Sequence, residues 1–173
     1  MNAEEQYQAE LIKVKESHHT PTAGAMTSHV LANLMIHATK LFQAYYSIKG
    51  SSINGKLKEL AQKEQAMAER LNELLLAEGE VIPTTTEEFK QYTMLEESGE
   101  FKYLPTADIL TAQVADFNTE LLFITRAIKL AEKADYFGLS EYLKEVYTNI
   151  KEAILYLQTY LGHEVTFGLE EDE

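Results

Sequence analysis

Apolar side chains recur every three or four positions along four long stretches of the chain, and no stretch alternates residue by residue as a strand would. The pattern predicts an all-α protein. The first stretch runs from about Ser28 to Lys49 and puts Leu31, Leu34, Ala38, Phe42, Tyr45 and Ile48 on one stripe. The second, from about Asn54 to Glu78, stacks Leu57, Leu60, Met67, Leu71 and Leu74 and stops at Gly79, which takes a left-handed backbone at no steric cost. A third opens at Pro105-Thr106, where Thr106 reads as the N-cap and Asp108 suits the positive end of the helix dipole. Leu110, Val114, Phe117, Leu121 and Ile124 follow it. After a break at Lys133-Ala134-Asp135-Tyr136-Phe137-Gly138, a fourth stretch buries Leu139, Leu143, Val146, Ile150, Ile154 and Leu157, and Gly162 ends it.

A connection of about 25 residues separates the second stretch from the third, too long for a hairpin between antiparallel neighbours. Within it a Thr cap followed by two acids, Thr84-Thr85-Thr86-Glu87-Glu88-Phe89, predicts a short helix. Two helices, a long crossover and two more helices describe the ferritin-like form of the four-helix bundle. Ahead of it, Tyr7, Leu11 and Val14 share one face of a separate N-terminal helix, and Pro21 and Gly24 mark a linker. The chain thus divides into residues 1–27 (N-terminal helix and linker), 28–162 (bundle) and 163–173 (an acidic tail read as disordered).

Composition narrows the chemistry. There are no cysteines, which excludes disulfides, thiolate metal sites and thiol nucleophiles and suits a reducing interior. No apolar run approaches the roughly 20 residues needed to span a bilayer, and the polar start lacks a signal-peptide core, so a soluble, cytoplasmic protein without membrane contact is predicted. The formal net charge is -13, from 28 acidic against 15 basic side chains, and such a field repels phosphate backbones and attracts cations. The same charge also serves solubility alone. Sequence signatures of nucleotide-binding loops and of zinc proteases are absent.

Tyr45-Tyr46-Ser47-Ile48-Lys49-Gly50 at one helix end, Ala68-Glu69-Arg70-Leu71 near the next, and the crossover segment Glu87-Glu88-Phe89-Lys90-Gln91-Tyr92 together resemble the Dps family, the DNA-protection-during-starvation branch of the ferritin-like superfamily. The likeness covers roughly residues 28–162. It looks strongest for members from lactic acid bacteria, some of which carry an extra N-terminal helix. It implies a cytoplasmic, nucleoid-associated dodecameric shell that answers oxidative stress and starvation. Such shells oxidise ferrous ions at centres shared between subunits, store the mineral inside and in many cases bind DNA.

The family's iron centre takes an acid pair four residues apart from one subunit, and histidines with a further carboxylate from the partner. Glu69 and Glu73 fall on the acid pair, and their spacing puts both carboxylates on one helix face. They read equally as a solvated edge beside Arg70. Tyr45 stands where the first histidine belongs, and Asn54 and Lys58 are the nearest counterparts of the missing ligands. An ammonium opposes cation binding and an amide is a weak ligand, so the resemblance implies a degenerate ferroxidase centre with a weak iron site. Tyr45 phenolate remains a conceivable ferric ligand.

By the same resemblance, Glu141, with Asp135 and Glu145, falls near acidic pores that admit iron or other divalent cations; pairing with Lys144 is the competing reading. Among the histidines, His37 reads as sitting at the edge of the core, while His18 and His19 are adjacent in the linker. The N-terminal arm offers Lys13 and Lys15 but also Glu4, Glu5, Glu10 and Glu16, so DNA binding through it, with His18 and His19 nearby, calls for bridging divalent cations and avidity. The predicted function is therefore a DNA-binding, iron-handling shell. Alternatives are an active ferroxidase and iron-storage protein, and a helical interaction protein that forms no cage.

Overall fold

The computed structural model describes residues 1–169. Its helices are α1 (Ala3–Ser17), α2 (Ala23–Ser47), α3 (Ile53–Ala77), α4 (Thr86–Tyr92), α5 (Thr106–Lys133) and α6 (Phe137–Leu161), with a 3₁₀ turn at Gly99–Tyr103. The four long helices α2, α3, α5 and α6 are those the apolar periodicity predicts, and no strand occurs among the described residues. The fold is the expected ferritin-like bundle.

Contacts at the two ends set the helix directions. Glu80, just past the end of α3, accepts from the Tyr136 hydroxyl at the start of α6 at 2.9 Å and lies against Gly24 at the start of α2. At the other end Ser51, before α3, bonds Tyr160 near the end of α6. So α3 runs parallel to α5, and the crossover must return along the whole bundle, about 40 Å for a 28-residue helix. That return is why the connection is long. It is pinned midway by Asn33, buried on α2, whose Oδ1 accepts from Thr93 Oγ1 at 2.8 Å and from the Met94 amide at 2.9 Å.

Three boundaries differ from the periodicity. α2 begins at Ala23, ahead of the expected Ser28, because Thr22 caps it by accepting from the Ala25 amide at 3.1 Å. Gly24, read as a linker residue, is instead helical and closely covered: a Cβ there would run into the Glu80 carboxylate. In α5, Pro105 occupies the N-cap position and Thr106 is already helical. Past α6, which ends on a left-handed Gly162, Gln158 Nε2 donates to the Phe167 carbonyl at 2.8 Å, so residues 163–169 fold back on the helix. The acidic residues 170–173 of the predicted tail lie outside the described residues.

α1 is of a different kind. A reciprocal capping box starts it, with Asn2 Oδ1 accepting from the Glu5 amide at 2.8 Å and Glu5 Oε2 from the Asn2 amide at 2.9 Å. None of its residues is buried, and only the Glu10, Leu11, Val14 and Ser17 side is partly covered.

Asn33→Ala removes the acceptor shared by the Thr93 hydroxyl and the Met94 amide and is expected to cost about 0.5–1.5 kcal/mol, read as a lower denaturant midpoint. Loosening of the crossover should show in the same variant as faster hydrogen exchange at residues 86–95.

Candidate metal centre

Three of the apolar stripes are interrupted at mid-bundle by an ionisable residue. His37 follows Leu34 by one turn on α2, Glu64 lies between Leu60 and Met67 on α3, and Glu120 follows Phe117 by one turn on α5. Helical spacing therefore carries all three inward. His37 is 0 % exposed, and Glu64 and Glu120 are each 1 % exposed.

The imidazole is held on both sides. Its Nε2 lies 2.9 Å from Gln113 Oε1 and 3.9 Å from Asp116 Oδ2, so it faces only acceptors and carries a proton. Its Nδ1 lies 3.0 Å from Glu64 Oε1 and 3.5 Å from Glu120 Oε2. The Phe117 ring meets it edge-on, 4.4 Å between centroids, and fixes its plane. Outside this layer the buried Lys40 places Nζ 2.6 Å from Asp116 Oδ2 and 5.1 Å from the centre of the Phe101 ring. Glu64 Oε2 and both oxygens of Glu120 are buried without a hydrogen-bond partner.

Burial alone would lower the His37 pKa, but the adjacent Glu64 and Glu120 carboxylates outweigh it and hold the ring well above the ordinary histidine value. Glu120 is pushed well above the usual carboxylate range, first by its own burial and then by Glu64, against the opposing pull of His37. Burial and mutual contact thus raise the proton affinity of both His37 and Glu120.

The residues singled out from sequence lie elsewhere. Glu69 and Glu73 are exposed on the outer face of α3, and Arg70 pairs with Glu73 at 2.9 Å. Tyr45 is half-buried under the Lys58 ammonium, 5.7 Å from its ring centre. Asn54 donates its amide to the Tyr45 and Ile48 carbonyls. Asp135 is exposed with a left-handed backbone, φ 59°, and Lys144 bridges Glu132 at 3.0 Å and Glu141 at 3.4 Å beside an exposed Glu145. Lys13, Lys15, His18 and His19 are exposed on or just after α1.

His37 is corrected most. It is a fully buried centre of a polar cluster and not a residue at the core edge, because it occupies the inward side of α2 one turn from Leu34. Glu64 and Glu120 were legible only as acids standing on an apolar stripe. Among the described residues, these three form the one group of three or more histidine and acidic side chains close enough to share a cation.

Comparison with known proteins places the architecture. A family model described as a ferritin-like domain matches residues 25–164. The crystal structure of the Lactococcus lactis MG1363 DpsB protein superposes with a TM-score of 0.91 at 40% identity, covering 94% of this chain and 96% of that one. For the DpsA protein of the same organism the TM-score is 0.92 at 35% identity, covering 96% of this chain and 99% of that one. Dps from Listeria monocytogenes shares the fold at 19% identity, with a TM-score of 0.80 over 84% of this chain and 97% of that one. No curated protein sequence matches the chain. Helix order, crossover and family match define a ferritin-like protein. Within that class the chain belongs to the Dps family, associated with DNA protection and iron handling.

Two predictions follow from the cluster's protonation. Because both folded-state pKa values are raised, the folded protein binds more protons than the unfolded chain, so this contribution is full below about pH 4.5 for Glu120 and below about pH 6.5 for His37. It is lost as pH rises through the folded values. Thermal midpoints in chelator should therefore fall as pH rises above about 6.5, more steeply than in His37→Leu. That variant, which leaves two facing carboxyls and an unpaired Gln113, should itself lose about 3–5 kcal/mol at pH 6.

Proposed function

We propose that this chain builds a Dps-type shell of twelve subunits that protects DNA by binding it through α1 and handles iron, with a degenerate inter-subunit ferroxidase centre. The observation that carries this is the likeness to the Lactococcus lactis DpsA and DpsB proteins along nearly the whole of each chain, together with a capped α1 none of whose residues is fully buried in its own subunit.

DNA contact has to overcome the net charge of -13. On α1 the exposed Lys13 and Lys15 stand among Glu4, Glu5, Glu10 and Glu16, so one arm offers little attraction to phosphate. Divalent cations bridging its acids to phosphates, with His18 and His19 beside them, supply the missing charge, and twelve arms supply avidity. The protein accordingly works in the cytoplasm, at the nucleoid. No helix among the described residues is long and apolar enough to cross a membrane.

Iron handling follows from the acids. Glu69 and Glu73 are an exposed pair that loosely holds a cation, and Asp135, Glu141 and Glu145 line the pores that admit it. Weak or absent oxidation at the inherited centre is supported by Tyr45 packing with Lys58 and by Asn54 spending its amide on backbone carbonyls. An active ferroxidase is the second reading.

The intact protein is expected at about 235 kDa by native mass, twelve copies of a 19.6 kDa chain, and a monomer or dimer would sink the shell. Plasmid retardation in gels should vanish on deleting residues 1–20 and on adding chelator, while the assembly stays intact. Retention of DNA under chelator would remove the bridging cation from the mechanism. Ferrous oxidation by peroxide should match a protein-free blank; a rapid rate lost in Glu73→Ala would instead establish the ferroxidase reading at that pair.

A further inference from the structure

The buried cluster does not line an outer surface, a pore or α1, and neither shell formation nor DNA contact calls for it. His37 Nδ1, Glu64 Oε1 and Glu120 Oε2 come from three different helices, and one donor atom from each residue lies within 4.8 Å of the others. The 3.0 and 3.5 Å separations from Nδ1 match neighbouring donors around a single ion held at roughly 2.0–2.2 Å. Gln113 receives the proton of the opposite ring nitrogen, which is how an imidazole is fixed for ligation through its free nitrogen. One oxygen of Glu64 and both of Glu120 are buried with no well-formed hydrogen bond, the best being the 3.5 Å approach of Glu120 Oε2 to His37 Nδ1, which is costly in an apolar interior unless something binds them.

Di-iron bundles need two Glu-x-x-His motifs on top of two further carboxylates. Here Met67 stands one turn after Glu64 and Phe123 one turn after Glu120, and α6 supplies no member of the cluster. The donors suffice for one ion. The geometry points to a mononuclear site in which His37, Glu64 and Glu120 bind one divalent transition-metal ion inside each subunit, with Gln113 as a positioning residue.

One imidazole and two carboxylates, with no sulfur, suit Fe²⁺, Mn²⁺ or Zn²⁺ and not Cu⁺. Toward the surface, Asp116 is 16 % exposed and pairs with Lys40, which borders a surface recess with Gln43 and Ser98. The site lies wholly within one chain, so it stands whether or not Glu69 and Glu73 bind iron or α1 binds DNA.

The test is titration of chelator-treated, full-length protein with Co²⁺ alone, followed by calorimetry and by visible absorption. Wild type should saturate at one tight ion per subunit. Glu120→Gln, which keeps the side-chain shape, should weaken binding at least about 100-fold, and Gln113→Leu about 10–100-fold with an altered spectrum. His163→Ala, remote from the cluster, should bind as wild type. Circular dichroism and native mass check that each variant folds; if His37→Leu does not, Glu120→Gln and Gln113→Leu carry the test. The inference is overturned if wild type shows no saturable tight site, or if the tight site survives Glu120→Gln and is lost in Glu73→Ala.

Discussion

An imidazole held between two carboxyl groups in the dry middle of four helices constrains everything packed around it. Apolar stripes tolerate small slides of one helix along another, since one Leu contact resembles the next. Contacts of 3.0 Å to Glu64 and 2.9 Å to Gln113 do not, because a buried partner left unmade costs its full desolvation. His37 therefore ties the register of α2 to α3 on one side and to α5 on the other. Phe117, edge-on to the ring, joins that polar layer to the apolar core above and below it.

The ends of the bundle are closed by different means. Tyr136 to Glu80 at one end and Ser51 to Tyr160 at the other are polar contacts in the outer layer, where water competes and each contributes modestly. The crossover has to travel the length of the bundle, and a single buried amide, Asn33, fastens its middle. Rigidity in this subunit thus decreases from the mid-bundle layer outward, and α1, with nothing buried, is the least constrained of its helices.

That gradient separates two kinds of chemistry. The interior offers one imidazole and two carboxyls in fixed positions, where a low dielectric makes an opposite charge or a proton obligatory. The exterior offers many acids in water, where a net charge of -13 concentrates cations without fixing any of them. Glu69 and Glu73 belong to the second kind: one is paired with Arg70 in the i, i+3 position, and such exposed pairs carry little energy. Their role depends on what a neighbouring subunit brings.

The sequence by itself determined the helices, because a 3.6-residue repeat of Leu, Ile and Val reports directly which side of each helix must leave water. It also marked Gly79 and Gly162 as ends, since both adopt the left-handed backbone that glycine takes freely. It left the start of α2 too late, because Ala23 and Gly24 carry no apolar signal and helix there depends on the Thr22 cap, while the Glu80 side chain from the connection after α3 packs close over Gly24. The centre was decided only by tertiary structure. His37, Glu64 and Glu120 are far apart in the chain, and each alone is a polar residue on an apolar stripe; periodicity says that each faces inward but not that they meet. Their shared height in the bundle is set by the lengths of the turn after α2 and of the returning crossover, which no local pattern encodes.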